Sequence, residues 1–184
     1  MHDTFLEYVL NDLHSKQLDI TKCTFVLPSK RSGTFLKKHI SNRLKKNIFS
    51  PDVVSIQEFI GNLSDLNQAS NIDLLLLLFK VYKASQIEEL DDFASFINWG
   101  QTLLQDFNEI DGYLIPAGDI LNYLSAIKEI NHWSASKEKT DLVENYLQLW
   151  KNLETIYKDF YDALLKQKRG YQGLIQREAV KAIQ

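Results

Sequence analysis

A single cysteine, three prolines and seven glycines in 184 residues leave this chain with few staples and few breakers. Cys23 has no second thiol to pair with, so no internal disulfide forms and no thiolate-rich zinc site can be built; a reducing cytoplasm is the expected compartment. Long apolar runs are also missing. The longest, Leu74 to Phe79, is six residues, against about 20 for a membrane-spanning helix, so no membrane partner is expected. The start, Met1-His2-Asp3, lacks the basic region of an export signal. With so few breakers, most of the chain is expected to be helix joined by short connections.

What is present is unevenly distributed. The formal net charge is only -3, yet residues 22–51 carry eight basic residues and no acid, whereas residues 52–129 carry three basic residues against thirteen acids. The basic block contains Lys30, Arg31, Lys37, Lys38, Arg43, Lys45 and Lys46. Such a cluster either meets a polyanion or acidic protein face, or is simply a solvated helix surface.

Periodicity places that block in a recognisable local order. Asp3 to Ser15 has the spacing of an amphipathic helix, with Asp3 or Thr4 as its cap. Thr21 to Leu27 is short, β-branched and nearly all apolar, as a buried parallel strand would be, and Cys23 is expected to be buried within it. Pro28 ends the strand, Ser29 to Gly33 reads as a loop, and Thr34 to Lys46 as a basic helix with Phe35, Leu36, Ile40 and Leu44 inward. Val53 to Ser55 is a second strand, parallel to the first by the crossover rule. Ser55 and Glu58 have capping-box spacing for a helix to Leu66. Helical periodicity then covers 72–85, 91–109, 116–130, 137–168 and 173–184, with Pro116 in a first turn and Gly170 as a stop. The last helix reaches Gln184 without a cap, and the chain is expected to be the N-terminal part of a longer protein.

Sites of chemistry are scarce. The stretch from Pro28 to Thr34 lies where a nucleotide loop would, but it lacks the G-x-x-x-x-G-K-[ST] order that supplies inward amides, a lysine and a magnesium-binding hydroxyl. A single phosphate or a nucleic-acid backbone is a better match, gripped by amides near Ser32 and Gly33 together with Lys30 and Arg31. The four histidines are widely spaced and match no zinc or di-iron pattern. His39 reads as a half-buried packing or phosphate-facing residue. Asp106, Glu109 and Asp111 read as a solvated helix end rather than a magnesium site. Phe93, Phe96, Trp99 and Phe107, like Trp150, Tyr157, Phe160 and Tyr161, have the spacing of a helix-helix core. No catalytic residue, metal site or cofactor is assigned.

Four stretches occur in an order that resembles a known family: Phe25 to His39 (FVLPSKRSGTFLKKH), Phe49 to Phe59 (FSPDVVSIQEF), Phe96 to Leu114 (FINWGQTLLQDFNEIDGYL) and Gly170 to Ala179 (GYQGLIQREA). Together they resemble the N-terminal region of large bacterial PD-(D/E)XK nucleases related to AddB and RecB, in which a helicase-like body precedes a nuclease domain. The resemblance implies an α/β but predominantly helical fold: a P-loop-helicase-like remnant with small parallel strands over 1–69 and a helical lobe over 70–184. It implies a non-catalytic DNA-binding or scaffold module in DNA-end processing, recombination and repair. Its DNA contacts would come from Ser29, Lys30, Arg31, Ser32, Lys37, Lys38 and Arg43. Expected partners are DNA, as single strands or duplex ends, the rest of the parent polypeptide and a helicase-nuclease partner subunit. The alternative is an interaction platform whose basic segment docks on acidic helices or on a partner.

Overall fold

The computed structural model describes residues 4–44, 49–85, 87, 91–135 and 141–184. Among these the chain is mostly helical, with two small parallel sheets of two strands each. It divides into two compact units, residues 1–62 and 63–184.

In the first unit, α1 (Phe5–Ser15) starts at Thr4, whose hydroxyl accepts from the Glu7 amide at 3.4 Å while the Glu7 carboxylate accepts from the Thr4 amide at 2.7 Å. This reciprocal box satisfies two otherwise orphaned donors. Asp3, the other expected cap, lies outside the described residues. α1 ends through Gln17, which holds a left-handed φ of 55° while the Leu18 amide bonds back to the Leu13 carbonyl at 3.1 Å. A 3-10 turn, Ile20–Lys22, leads to β1 (Thr24–Leu27). Cys23 sits before the strand and is only half-buried, because the turn takes up residues that sequence alone assigns to the strand.

The helix α2 runs Lys30–Leu44, so the expected loop over 29–33 shrinks to Pro28 and Ser29. Ser29 is the physical reason: its Oγ accepts from the Ser32 amide at 3.2 Å, in capping geometry four residues earlier than the charge pattern indicates. Two cations in the first turn oppose the helix dipole, which makes such a start hard to read from sequence. Leu36 and Ile40 are buried with Leu10 against Phe25, Leu27 and Val53. Phe35, expected inward, is instead exposed. The side chain of Leu44, and Lys45 and Lys46 entirely, lie outside the described residues.

β2 (Asp52–Ser55) pairs with β1 in parallel, Phe25 opposite Val53 and Leu27 opposite Ser55. A Cβ on Gly33 would stand 3.0 Å from Val53 Cγ1, so glycine lets α2 lie close on the sheet. The other face of β1 presents Thr24 and Val26 to solvent. Ser55 then caps α3 (Ile56–Ser64): its Oγ accepts from the Glu58 amide at 3.2 Å and Glu58 Oε2 accepts from the Ser55 amide at 3.0 Å.

The second unit packs α4 (Asn71–Ala84), α5 (Phe93–Gly112), α6 (Ala117–Ala135), α7 (Asp141–Lys166) and α8 (Gln172–Ile183) around one core. Phe96, Phe107 and Phe160 are fully buried, and Phe96 lies 4.7 Å from the Trp99 ring and 5.3 Å from Tyr82. The aromatic periodicity of α5 and α7 is thus core, as its spacing indicates. α5 runs three residues past Glu109, and Gly112 stays helical. α7 ends at Lys166 rather than at Gly170, because Lys168 takes the left-handed turn with φ 50°. Pro116 precedes the first residue of α6 instead of lying inside its first turn.

Two strands of two residues each, β3 (Asn67–Gln68) and β4 (Arg169–Gly170), pair in parallel and were invisible to hydrophobic periodicity. Each follows a left-handed residue, Asp65 or Lys168, and each enters a helix, α4 or α8. The matching positions are tied across: Lys168 Nζ to Asp65 Oδ2 at 2.7 Å, and Arg169 Nη2 to Asp73 Oδ2 at 2.8 Å.

Candidate nucleic-acid interface

The seven residues singled out for phosphate contact are distributed around the Pro28–Ser29 turn and α2. Ser29 and Ser32 face each other, Oγ to Oγ at 3.0 Å, so both hydroxyls are engaged in capping. Capping satisfies the Ser32 amide and leaves those of Lys30 and Arg31 at the helix end without intrahelical partners. Lys30 is drawn away to Glu58, Nζ to Oε1 at 2.6 Å. That contact, with the Ser55 cap, holds the Glu58 carboxyl down at about 2. Arg43 donates to Asn11 Oδ1 on α1. At about 100° per residue, Arg31 and Lys38 share one face of α2, seven residues apart, whereas Lys30 and Lys37 share the neighbouring flank.

Arg31, Lys37 and Lys38 are exposed and have no ion-pair partner among the described residues. α2 itself carries no acid from end to end. The structure therefore leaves Arg31 beside the capped turn, places Lys37 and Lys38 about two turns further along α2, and sets Arg43 apart toward α1. His39 is partly exposed, with Nδ1 3.6 Å from Glu7 Oε1. Sequence reasoning missed two features: the Lys30–Glu58 pair, and the exposure of Phe35, which stands one turn from both Arg31 and His39.

A second cluster overturns the reading of Asp111 as solvated surface. Asp111 is fully buried. Its Oδ1 accepts from the Tyr157 hydroxyl at 2.5 Å and lies 2.7 Å from Arg177 Nε, and its Oδ2 accepts from the Tyr171 hydroxyl. The Nε contact is a charge contact rather than an aligned hydrogen bond. The Arg177 Nη2 donates to the carbonyls of Ile110, at 3.1 Å, and Ile115, at 2.5 Å, where α5 ends. A buried carboxylate is tolerated there because an opposite charge and two hydroxyls replace its water. Burial, reinforced by Asp111, pushes both tyrosines above their ordinary range. Beside them Asn108 Oδ1 accepts from the Gly173 amide at 2.8 Å, and a Cβ on Gly173 would lie 2.0 Å from the Asn108 carbonyl oxygen. This cluster locks α5, α7 and α8 and leaves no room for a ligand at Asp111.

Among the described residues of the second unit lie two open clefts. One, of about 390 Å³, has Lys158, Arg177 and Lys181 in its lining. Lys158 pairs with Glu154, Arg177 with Asp111, and Lys181 with Glu178, so each of these cations has its acid. The other, of about 450 Å³, is rimmed by carboxamides such as Gln68, Asn71, Gln101 and Gln172 over Leu74 and Leu104. Among the described residues no group of three or more His, Cys, Asp or Glu is placed to hold a metal, and no helix is long and apolar enough to cross a membrane. Compared with family models and with curated proteins, the chain matches none.

Proposed function

We propose that this chain is a non-catalytic, helicase-like DNA-binding module of a DNA-end-processing nuclease, acting through the first unit. The observation that carries the reading is α2: an acid-free helix with the unpaired cation Arg31 in its first turn, beside the Ser29 cap, and the unpaired Lys37 and Lys38 about two turns further along. Cations at the positive end of a helix repel one another and the dipole, an arrangement relieved by a phosphate. Lys30 is paired with Glu58, so the two together add little net charge to the site. The family resemblance supplies the DNA and the nuclease context. The assay is fluorescence anisotropy with labelled single-stranded DNA over a salt series. Arg31→Ala/Lys37→Ala/Lys38→Ala is expected to weaken binding and to flatten the slope of log K against log salt by about 0.7 for each phosphate contact removed. Equal affinity and equal slope for this variant and the parent chain would overturn the reading.

The Lys30–Glu58 pair favours a second reading, an interaction platform in which the basic segment docks on acidic surface. Absence of any mobility shift with DNA at low salt, together with binding of an acidic protein face that the same triple variant loses, would select it.

A further inference from the structure

We infer that the outer surface of α1 and α2 is a base-stacking platform that selects single strands over duplex; the inference rests on the DNA-binding reading above. Three aromatic side chains of the first unit stand in solvent on these two helices: Phe5 77%, Tyr8 67% and Phe35 49% exposed. The helices run side by side in the same direction, because Glu7 meets His39 and Asn11 meets Arg43, four residues on in each. That register sets Phe5 level with residue 37, and Tyr8 level with residue 40. All three rings therefore fall within about five residues of axial rise, roughly 7.5 Å at 1.5 Å per residue; at about 100° per residue Tyr8 and Phe35 flank the outer side of the seam between the helices, while Phe5 lies farther round α1. About two adjacent bases cover the length between Tyr8 and Phe35.

Charge decides the class of occupant. An exposed apolar ring on its own is ordinary, but these rings are interleaved with cations. Arg31 lies one turn before Phe35 and Lys38 one turn after, on a helix without acids. The acids of α1 beside the rings are already engaged: Glu7 is held by the Thr4 cap and faces His39, and Asp12 pairs with Lys16 at 2.7 Å. A protein partner with an acidic face would satisfy the cations and leave the rings wet; a lipid surface would bury the rings but has no planar groups to stack. A single strand offers phosphates and unstacked bases at once. Duplex DNA keeps its bases inside and can use the cations only.

The discriminating experiment compares the parent chain with Phe5→Ser/Tyr8→Ser/Phe35→Ser on three probes: labelled dT15, a duplex of equal length, and a dT15 analogue with abasic sites in place of its bases. Far-UV circular dichroism and a melting curve establish that the variant is folded. The expected result is tighter binding of dT15 than of the abasic strand by the parent chain, and a loss of about fivefold or more per stacked base in the variant. The salt slope should stay unchanged, and the variant should bind dT15 and the abasic strand alike. Equal affinity of parent and variant for dT15 would overturn the platform while the DNA-binding reading stands. A parent chain that binds neither strand nor duplex would overturn both.

Discussion

The sharpest test of the fold is Asp111→Ala. The substitution leaves the Arg177 guanidinium, 16% exposed, without its counter-charge, and strips two buried tyrosine hydroxyls of their acceptor. Breaking a buried pair by deleting one partner costs about 3–5 kcal/mol, and each orphaned hydroxyl adds about 1–3 kcal/mol if it finds no water. These terms share one site and do not add. Arg177 also keeps its bonds to the Ile110 and Ile115 carbonyls, which lowers the loss. We expect about 4 kcal/mol for Asp111→Ala, from the buried-pair range. Asp111→Asn should cost less than that, because it keeps one acceptor oxygen while it loses the charge and turns the other acceptor into an NH2 donor. Against a total of about 5–15 kcal/mol for a domain, the alanine variant should melt at least about 10 °C lower. Urea unfolding followed by tryptophan fluorescence isolates the right unit, since all three tryptophans fall within residues 63–184. Tyr171→Phe supplies the control: about 1.5–3 kcal/mol in the parent background and much less once Asp111 is alanine, if the two groups are coupled. An Asp111→Ala variant within about 1 kcal/mol of the parent, on the scale of an exposed pair, would refute the account of this cluster.

Four further outcomes are expected. Gly173→Ala should destabilise the second unit by about 3 kcal/mol or more, since its Cβ would meet the Asn108 carbonyl backbone and overpacking has no flexible neighbour to yield; a melting temperature equal to that of the parent would contradict it. Gln17→Gly should stabilise the first unit by about 0.5 kcal/mol, because a left-handed residue at a helix end favours glycine; denaturant midpoints of the two chains check this. The Glu58 carboxyl, held from its ordinary 4.5 down to about 2 by Lys30 and the Ser55 cap, contributes stability that is present above pH 4.5 and lost as pH falls toward 2. Carbon-13 NMR titration should show that midpoint rising in Lys30→Met, and an unmoved midpoint would sink the assignment. Tyr82, Tyr157, Tyr161 and Tyr171 are all pushed above 10, chiefly by burial, so their neutral forms support the fold below pH 10 and are lost as pH rises through their own higher values. Absorbance titration should show a late phase coinciding with loss of helical signal.

What could be read from the chain alone divides along physical lines. Caps and strands were legible where one short segment holds the whole cause: Ser55 and Glu58 are three residues apart, β1 is four apolar or β-branched residues ended by Pro28, and β2 carries the pair Val53-Val54 just after Pro51. Features that need a distant partner were not. Asp111 is a core residue only because Arg177 and Tyr171 arrive from α8, and nothing near Asp111 in sequence announces them. The strands β3 and β4 carry Asn, Gln, Arg and Gly, with no apolar pattern, and exist because the helices around them bring their backbones together. For the candidate interface, Lys37, Lys38 and Arg43 fall on the helix the sequence indicates, whereas Lys30, Arg31 and Ser32, expected in a loop, lie in the first turn of that helix. Their division into Glu58-bound, Asn11-bound and unpaired members depends on contacts that charge counting does not contain. Phe35 follows the same rule: its spacing is compatible with the core, but Leu36 and Ile40 form the inward stripe of α2 and Phe35 stands outside it.

The parallel ladder of β3 with β4 pairs Asn67 with Arg169, and beside it Lys168 reaches Asp65, 103 residues away in the chain. During translation at about 5–20 residues per second, the first of these strands leaves the ribosome roughly 5–20 s before its mate. For that interval α5 holds the face that α8 will cover, its carboxylate still waiting for Arg177. A nascent chain paused anywhere in α7 is thus a natural client for a holdase, and a synonymous slowdown there would lengthen exposure without altering a single side chain.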